Sequence, residues 1–176
     1  MKIIIKVSLA ASIAVLLFFS FGCTLPIVPK ENEVDDAPVL EGPYEVIRII
    51  DGDTIVVSID CVETRVRLIG VNTPESVAPE EYHKDNVPEG KIASGYTKEL
   101  LSGKKVYLEF DIQKFDDYGR TLAYVYLEDG TTMIQEVLLS EGLAQIMTIQ
   151  PNSKYADEFA EIQKAARESG KGFWSN

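Results

Sequence analysis

Residues 44–59, YEVIRIIDGDTIVVSI, and the run ETRVRLI at 63–69 decide how this chain folds. Tyr44 to Ile50 and Thr54 to Ile59 are β-branched runs separated by Asp51-Gly52-Asp53, a turn signal between paired strands. In the third run Thr64, Val66 and Leu68 alternate with Glu63, Arg65 and Arg67. A strand there has one apolar face and carries both arginines on the other.

Pro74 stops that strand, and Ser76 to Gly90, with Pro79, Pro88 and several charges, reads as a long loop. Loops of that length in compact domains are usually functional or mobile. Ile92, Tyr96 and Leu100 then recur at helical spacing, with Ala93 and Thr97 beside them and Gly103 at the C′ position. Lys105 to Phe110 and Thr121 to Leu127 predict two more strands. Thr132 followed by Gln135 fits a capping box for a helix through Ile134, Val137 and Leu138 to Gly142. Tyr155, Phe159, Ile162 and Ala166 mark a last amphipathic helix, and Trp174 behind Gly172 and Phe173 reads as an apolar anchor for the C-terminus. Five short strands with about three helices predict an α+β domain, fitting a small Greek-key β-barrel with helical decoration. Pattern alone predicts the strands but not the closure.

Upstream, Lys2 and Lys6 precede an apolar run from Val7 to Phe21, then Gly22 and Cys23. The outline is that of a secretory signal, with an apolar region of about 15 residues and a small residue at the cut. A spanning helix needs roughly 20 apolar residues. Ser20-Phe21-Gly22-Cys23 resembles a lipoprotein cleavage box, in which Cys23 becomes the lipidated first residue, although Ser20 and Phe21 depart from the usual pattern. A cleaved soluble form and an uncleaved anchor are the alternatives. From Thr24 to Pro43 the chain carries Pro26, Pro29, Pro38 and Pro43 among scattered acids, an extended solvated linker. The expected organisation is therefore a signal peptide at 1–22, a tether at 23–43 and one domain at 44–176, of about 130 residues. The expected location is outside the cytoplasm, on a membrane if Cys23 is lipidated and secreted otherwise.

The formal charge is −11. Such a balance counts against tight, non-specific binding to duplex nucleic acid. It does not count against catalysis on a bound phosphate, because much of the acid lies in the tether (Glu31, Glu33, Asp35, Asp36, Glu41) and in the loop (Glu80, Glu81, Asp85, Glu89). Cys61 reads as a small strand or turn residue without a metal or redox motif, a disulfide to Cys23 being the alternative in an exported protein. His83, the only histidine, has no assignment.

Three segments far apart in the chain bring chemistry: Ile50 to Thr54, Arg65 to Glu75, and Asp116-Asp117-Tyr118-Gly119-Arg120. They offer hard oxygen ligands and guanidinium groups, the kit needed to cleave a phosphodiester with a divalent cation. Arginine suits the phosphate because its planar fork can donate two N–H bonds while staying ionised. Each residue alone has an ordinary reading: a hairpin Asp-Gly-Asp, a solvated glutamate, arginines in surface ion pairs with Glu109, Asp111 or Asp116.

In order and spacing these segments resemble the staphylococcal nuclease (thermonuclease) family, from about Tyr44 to Trp174. The resemblance implies an OB-fold barrel and a Ca²⁺-dependent nuclease acting on single-stranded or frayed DNA and on RNA. It implies Asp53, Asn72 and Thr73 as calcium ligands, Thr73 through its backbone carbonyl, and Glu75 as general base. Arg67 and Arg120 match the two arginines that hold the scissile phosphate. Tyr118 is then placed to pack on a nucleoside and Arg65 to contact substrate, unless Glu63 neutralises it. The family's products end in a 3′-phosphate. Two departures stand out: Asn72 where the best-known members have aspartate, and Thr148 where they have a nucleoside-packing tyrosine. The first removes a formal charge and predicts a weak calcium site; the second predicts weaker stacking, which is worth about 1–3 kcal/mol per base. Two rival readings are a catalytically silent nuclease-like binding module and a lipoprotein whose domain binds calcium or a partner.

Overall fold

The computed structural model describes residues 37–74 and 88–175. The leader reading at 1–22, Cys23 and most of the expected tether lie outside the described residues. Strand β1 runs Glu41–Asp51, β2 Thr54–Ile59, β3 Val62–Leu68, β4 Gly70–Asn72, β5 Lys105–Glu109, β6 Thr121–Tyr126 and β7 Gln145–Met147. The helices are α1 Pro88–Leu101, α2 Ile134–Ser140 and α3 Ala156–Glu168, and a single 3₁₀ turn, Gly172–Trp174, follows. The first strand takes in Glu41, Gly42 and Pro43, with Glu41 opposite Leu108. The domain thus begins upstream of Tyr44.

The barrel closes in the order β1-β2-β3-β6-β5. All its pairings are antiparallel except β3 with β6, which is parallel. This is the five-stranded Greek-key arrangement of an OB-fold. β1 pairs with β2 on one side and β5 on the other, and register shifts between Val46 and Arg48 and between Ile49 and Asp51 let it bend far enough to do so. Outside the barrel β4 and β7 form a ladder of their own.

Alternation along the strands places Ile55, Val57, Val66, Leu68, Val106, Leu108, Ala123 and Val125 in the core, each 0–1% exposed. Fully burying each of the larger ones is worth about 1.5–3 kcal/mol. β6 is buried on its other face too, because the Tyr124 ring packs edge-on against Tyr155 and Phe159, which come from the start of α3. Helix α1 turns Ala93, Thr97 and Leu101 inward and leaves Ile92 58% exposed. Its buried stripe thus lies one position away from the Ile92-Tyr96-Leu100 spacing.

The expected capping box at Thr132 and Gln135 does not form. The N-cap of α2 is Met133, without a side-chain cap. Gln135 is instead fully buried, accepting from the Val125 N–H and donating to the Ala123 carbonyl. β3 ends opposite Ala123, so the side chain takes over the edge of β6 that β3 no longer covers. Thr132 donates to Asp129.

After α2 the chain reverses at Gly142, φ +66°, and the Phe173 N–H donates to its carbonyl at 2.9 Å. A Cβ at Gly142 would fall on the Lys171 carbonyl. Gly142→Ala is expected to lower stability by at least the roughly 1–3 kcal/mol of a left-handed non-glycine residue, with the clash added. Thermal unfolding checks this; an unshifted Tm would mean that the C-terminal turn moves aside freely. The Arg167 guanidinium lies 4.3 Å from the Trp174 ring centroid, so the half-buried Trp174 is held against α3 by a cation–π contact and is not part of the apolar core.

Candidate active site

Three elements converge at one mouth of the barrel. The Asp51-Gly52-Asp53 hairpin lies between β1 and β2, and α1 pins it through Thr97 Oγ1, which donates to the Gly52 carbonyl at 2.9 Å. Arg67 comes from the solvent-facing side of β3, where alternation with Val66 and Leu68 puts it. The segment from Asp116 to Arg120 leads into β6, whose parallel pairing sets Leu122 opposite Arg67.

Asp53 is 6% exposed. Its Oδ1 accepts from Thr54 Oγ1 at 3.0 Å, and its Oδ2 accepts from the Thr73 N–H at 2.8 Å and from Thr73 Oγ1 at 3.2 Å. Arg67 Nη2 stands 3.3 Å from the same Oδ2. The carboxylate thus joins the hairpin to the end of β4 and to β3. Asn72 is exposed, and its Oδ1 accepts from Arg67 Nη2 at 3.3 Å.

Arg67 is clamped from its other end. Nη1 donates to the carbonyls of Leu68 at 2.6 Å and Val71 at 2.8 Å. Burial lowers its pKa, Asp53 opposes that shift, and Arg120 adds to it because two like charges converge. It stays protonated at any working pH. Arg120 donates from Nε to Asp116 Oδ2 at 2.6 Å, and the Tyr118 ring lies 5.5 Å from its guanidinium carbon. Burial pushes the Asp116 carboxyl up, but the hydrogen bonds and charge of Arg120 and the Tyr118 N–H together outweigh it and hold the group below its ordinary value.

Asp51, Asp53, Arg65, Arg67, Asn72, Thr73 and Arg120 line one cavity of about 440 Å³. A second, more apolar cavity of about 290 Å³ shares Arg67, Arg120 and Met147 with it and adds Tyr118, Ile149, Gln113 and Asn152. The sequence-derived residues Asp53, Arg65, Arg67, Asn72, Thr73 and Arg120 therefore meet around one space, with Tyr118, 86% exposed, on the rim of its neighbour. Glu75 and Cys23 lie outside the described residues.

Met147 and Ile149, on and just after β7, and the pair Gln113 and Asn152 were not anticipated. Gln113 and Asn152 bind each other through N–H to Oδ1 and Nδ2 to carbonyl bonds, both 2.8 Å. The β4–β7 ladder, with the Ile146 N–H held by Gln163 of α3, brings this strand to the site, and a three-residue strand carries no periodic signal.

The oxygen donors are hard: the buried Asp53 carboxylate, the half-buried Asp51 carboxylate in the same cavity, and neutral amide and carbonyl groups nearby. Among the described residues no group of three or more His, Cys, Asp or Glu side chains is placed to share a metal. That donor set fits a hard cation held with modest affinity, as Ca²⁺ is where few charged ligands contribute.

Comparison with known proteins finds nucleases among the chain's relatives. The chain is 48% identical over 136 residues to the thermonuclease of Staphylococcus hyicus, covering 77% of this chain and 78% of that one. It is 42% identical over 166 residues to the thermonuclease of Staphylococcus intermedius, covering 94% and 93%. It is also 42% identical over 130 residues to the endonuclease YncB of Bacillus subtilis strain 168, of which it spans 59%. The model of the staphylococcal nuclease homologues matches residues 65–176, and with both arginines and the buried aspartate gathered at one mouth of the barrel, the chain belongs to the staphylococcal nuclease family.

Proposed function

We propose that this phosphodiester hydrolase is a Ca²⁺-dependent nuclease that cleaves single-stranded or frayed DNA, and RNA, with little sequence preference and leaves 3′-phosphate ends. The observation that carries the reading is the convergence of Arg67 and Arg120 on the cavity that also holds Asp53. A phosphate there receives N–H bonds from the Nη groups of Arg120 and from Arg67, whose Nη2 exchanges its 3.3 Å contacts with Asp53 and Asn72 for the phosphate while Nη1 stays on the Leu68 and Val71 carbonyls; these donors stabilise the charge that builds on the oxygens as water attacks. Asp53, with Asn72 and the Thr73 carbonyl, would hold Ca²⁺. The bound cation would neutralise phosphoryl oxygens. Glu75 accepts the proton of the attacking water, a role carried over from the family resemblance. Tyr118, Met147 and Ile149 offer apolar surface to an unpaired base, and Arg65 adds charge at the rim. The net negative charge of −11 favours local engagement of a strand over tight holding of a duplex.

Digestion of single-stranded DNA by the full chain, with Ca²⁺ and with EGTA, tests this. Loss of cleavage in EGTA supports the reading, and no cleavage with Ca²⁺ refutes it in favour of a silent binding module. A truncated form for such assays has to begin no later than Ala37, because β1 starts at Glu41. We further infer that the leader exports the protein and that lipidation of Cys23 holds it at a membrane.

The neutral Asn72 yields a sharper expectation. Asn72→Asp restores a carboxylate beside Asp53, so the free Ca²⁺ needed for half-maximal activity falls. Added negative charge also repels the phosphate, so KM rises. Activity titrated against free Ca²⁺ at fixed ionic strength checks both. Unchanged calcium demand would show that Asn72 acts only through its bond to Arg67.

A further inference from the structure

We propose that Asp116 is a positioning residue for the hydrolysis: its carboxylate holds Arg120 by Nε and so fixes the direction from which the Nη ends reach the phosphate. The inference rests on the nuclease reading above.

Every polar group of Asp116 is committed within its own turn. Its Oδ1 accepts the N–H groups of Tyr118 at 3.0 Å and Arg120 at 2.8 Å. Its Oδ2 takes the Arg120 Nε–H at 2.6 Å. Its own N–H donates to the Arg120 carbonyl at 3.0 Å, and its carbonyl accepts from Gly119, φ +73°, at 3.0 Å. The carboxylate is shielded, its side chain 16% exposed. One group therefore shapes the backbone on which Arg120 stands and also grips the side chain.

The grip has a particular geometry. Arginine carries several rotatable bonds, and a phosphate must otherwise collect the guanidinium from many rotamers. An Nε contact fixes the torsions up to the guanidinium and leaves the two Nη groups as the fork for an anion. Among the described residues no other side chain accepts from Arg120. The exposed Tyr118 ring lies 5.5 Å from the same group. Asp117, the adjacent acid, is exposed and makes none of these bonds. The bland alternative is that the pair only stabilises the turn.

The two readings separate in a double-mutant cycle on the full chain with single-stranded DNA and saturating Ca²⁺. In Asp116→Asn the amide oxygen can still accept the backbone N–H groups, but the carboxylate oxygen on Nε is lost. A misplacement near 1 Å can cost about 10²-fold, so kcat falls by about that factor. KM changes by less than about twofold, as for a contact that matters in the transition state. In an Arg120→Lys background, the same substitution costs less than about threefold, because the group it positions has gone. Equal losses in both backgrounds, or no loss in the first, would overturn the proposal. The exchange rate of the Arg120 Nε–H, followed by NMR, reads the grip without turnover. It is slow in the parent and fast in Asp116→Asn, and equal rates refute the hold. A parent chain that does not digest DNA would sink the nuclease reading instead, and the exchange comparison would still decide whether Asp116 holds the guanidinium.

Discussion

Arg120→Lys lowers kcat by about 10²–10³-fold, the usual cost of one lost transition-state donor in a preorganised site, while unfolding stays near the parent's. Lysine keeps the charge but has no fork, and the side-chain contacts it disturbs are the hydrogen bond to Asp116 and the contact with the exposed Tyr118 ring. Arg67→Lys has a comparable kinetic effect with a second consequence. The Leu68 and Val71 carbonyls both accept from Arg67 Nη1, and one ammonium on a shorter stem cannot replace both bonds and the approach to Asp53. An unsatisfied buried acceptor costs about 1–3 kcal/mol. Arg67→Lys therefore loses stability as well as turnover, and Arg120→Lys loses turnover alone. Steady-state kinetics with denaturant unfolding of both variants checks the split. Near-parental kcat in both would remove the arginines from the chemistry.

Glu75→Gln is expected to remove still more. The amide has the shape of the carboxylate but cannot accept the proton of the attacking water, so kcat falls by about 10²–10⁴-fold. Substrate affinity changes little, because the residue acts on water and not on the nucleotide. Single-turnover rates beside equilibrium binding of a non-hydrolysable oligonucleotide separate the two quantities. A variant retaining more than about a tenth of parental kcat would deny Glu75 the base role.

Much of this was legible from the chain, and the exceptions have physical causes. The Asp51-Gly52-Asp53 turn, the alternation around Arg65 and Arg67 and the two later strands were all readable, because each is a local pattern. Gln135 misled because its three-residue spacing from Thr132 mimics a cap, whereas the side chain serves a strand edge that only the folded barrel creates. Ile92 misled because a helical stripe of small residues, Ala93 and Thr97, packs closest to the hairpin. Met147 and Ile149 reach the site through the β4–β7 ladder, too short to announce itself. At the site, the family resemblance singled out the arginines, but not that Asp116 binds one of them or that Asp53 accepts three hydrogen bonds beside its ion pair with Arg67.

The parallel register of β3 with β6 sets when the catalyst comes into being. Val66 faces Thr121 and Arg67 faces Leu122 across that seam, so Arg67 and Arg120 become neighbours only once the two strands have met. They lie far apart in the chain, and joining such segments is the slow, non-local part of building a small barrel. Until then hydrophobic collapse can bring together the hairpin of β1 and β2 without producing any cleft able to cut. On the nuclease reading above, a newly made chain, or one partly opened by heat or denaturant, is expected to leave nearby nucleic acid uncut until that seam closes. The return of cleavage during refolding then clocks the closing of this one seam, which also buries Val66, Leu68 and Ala123.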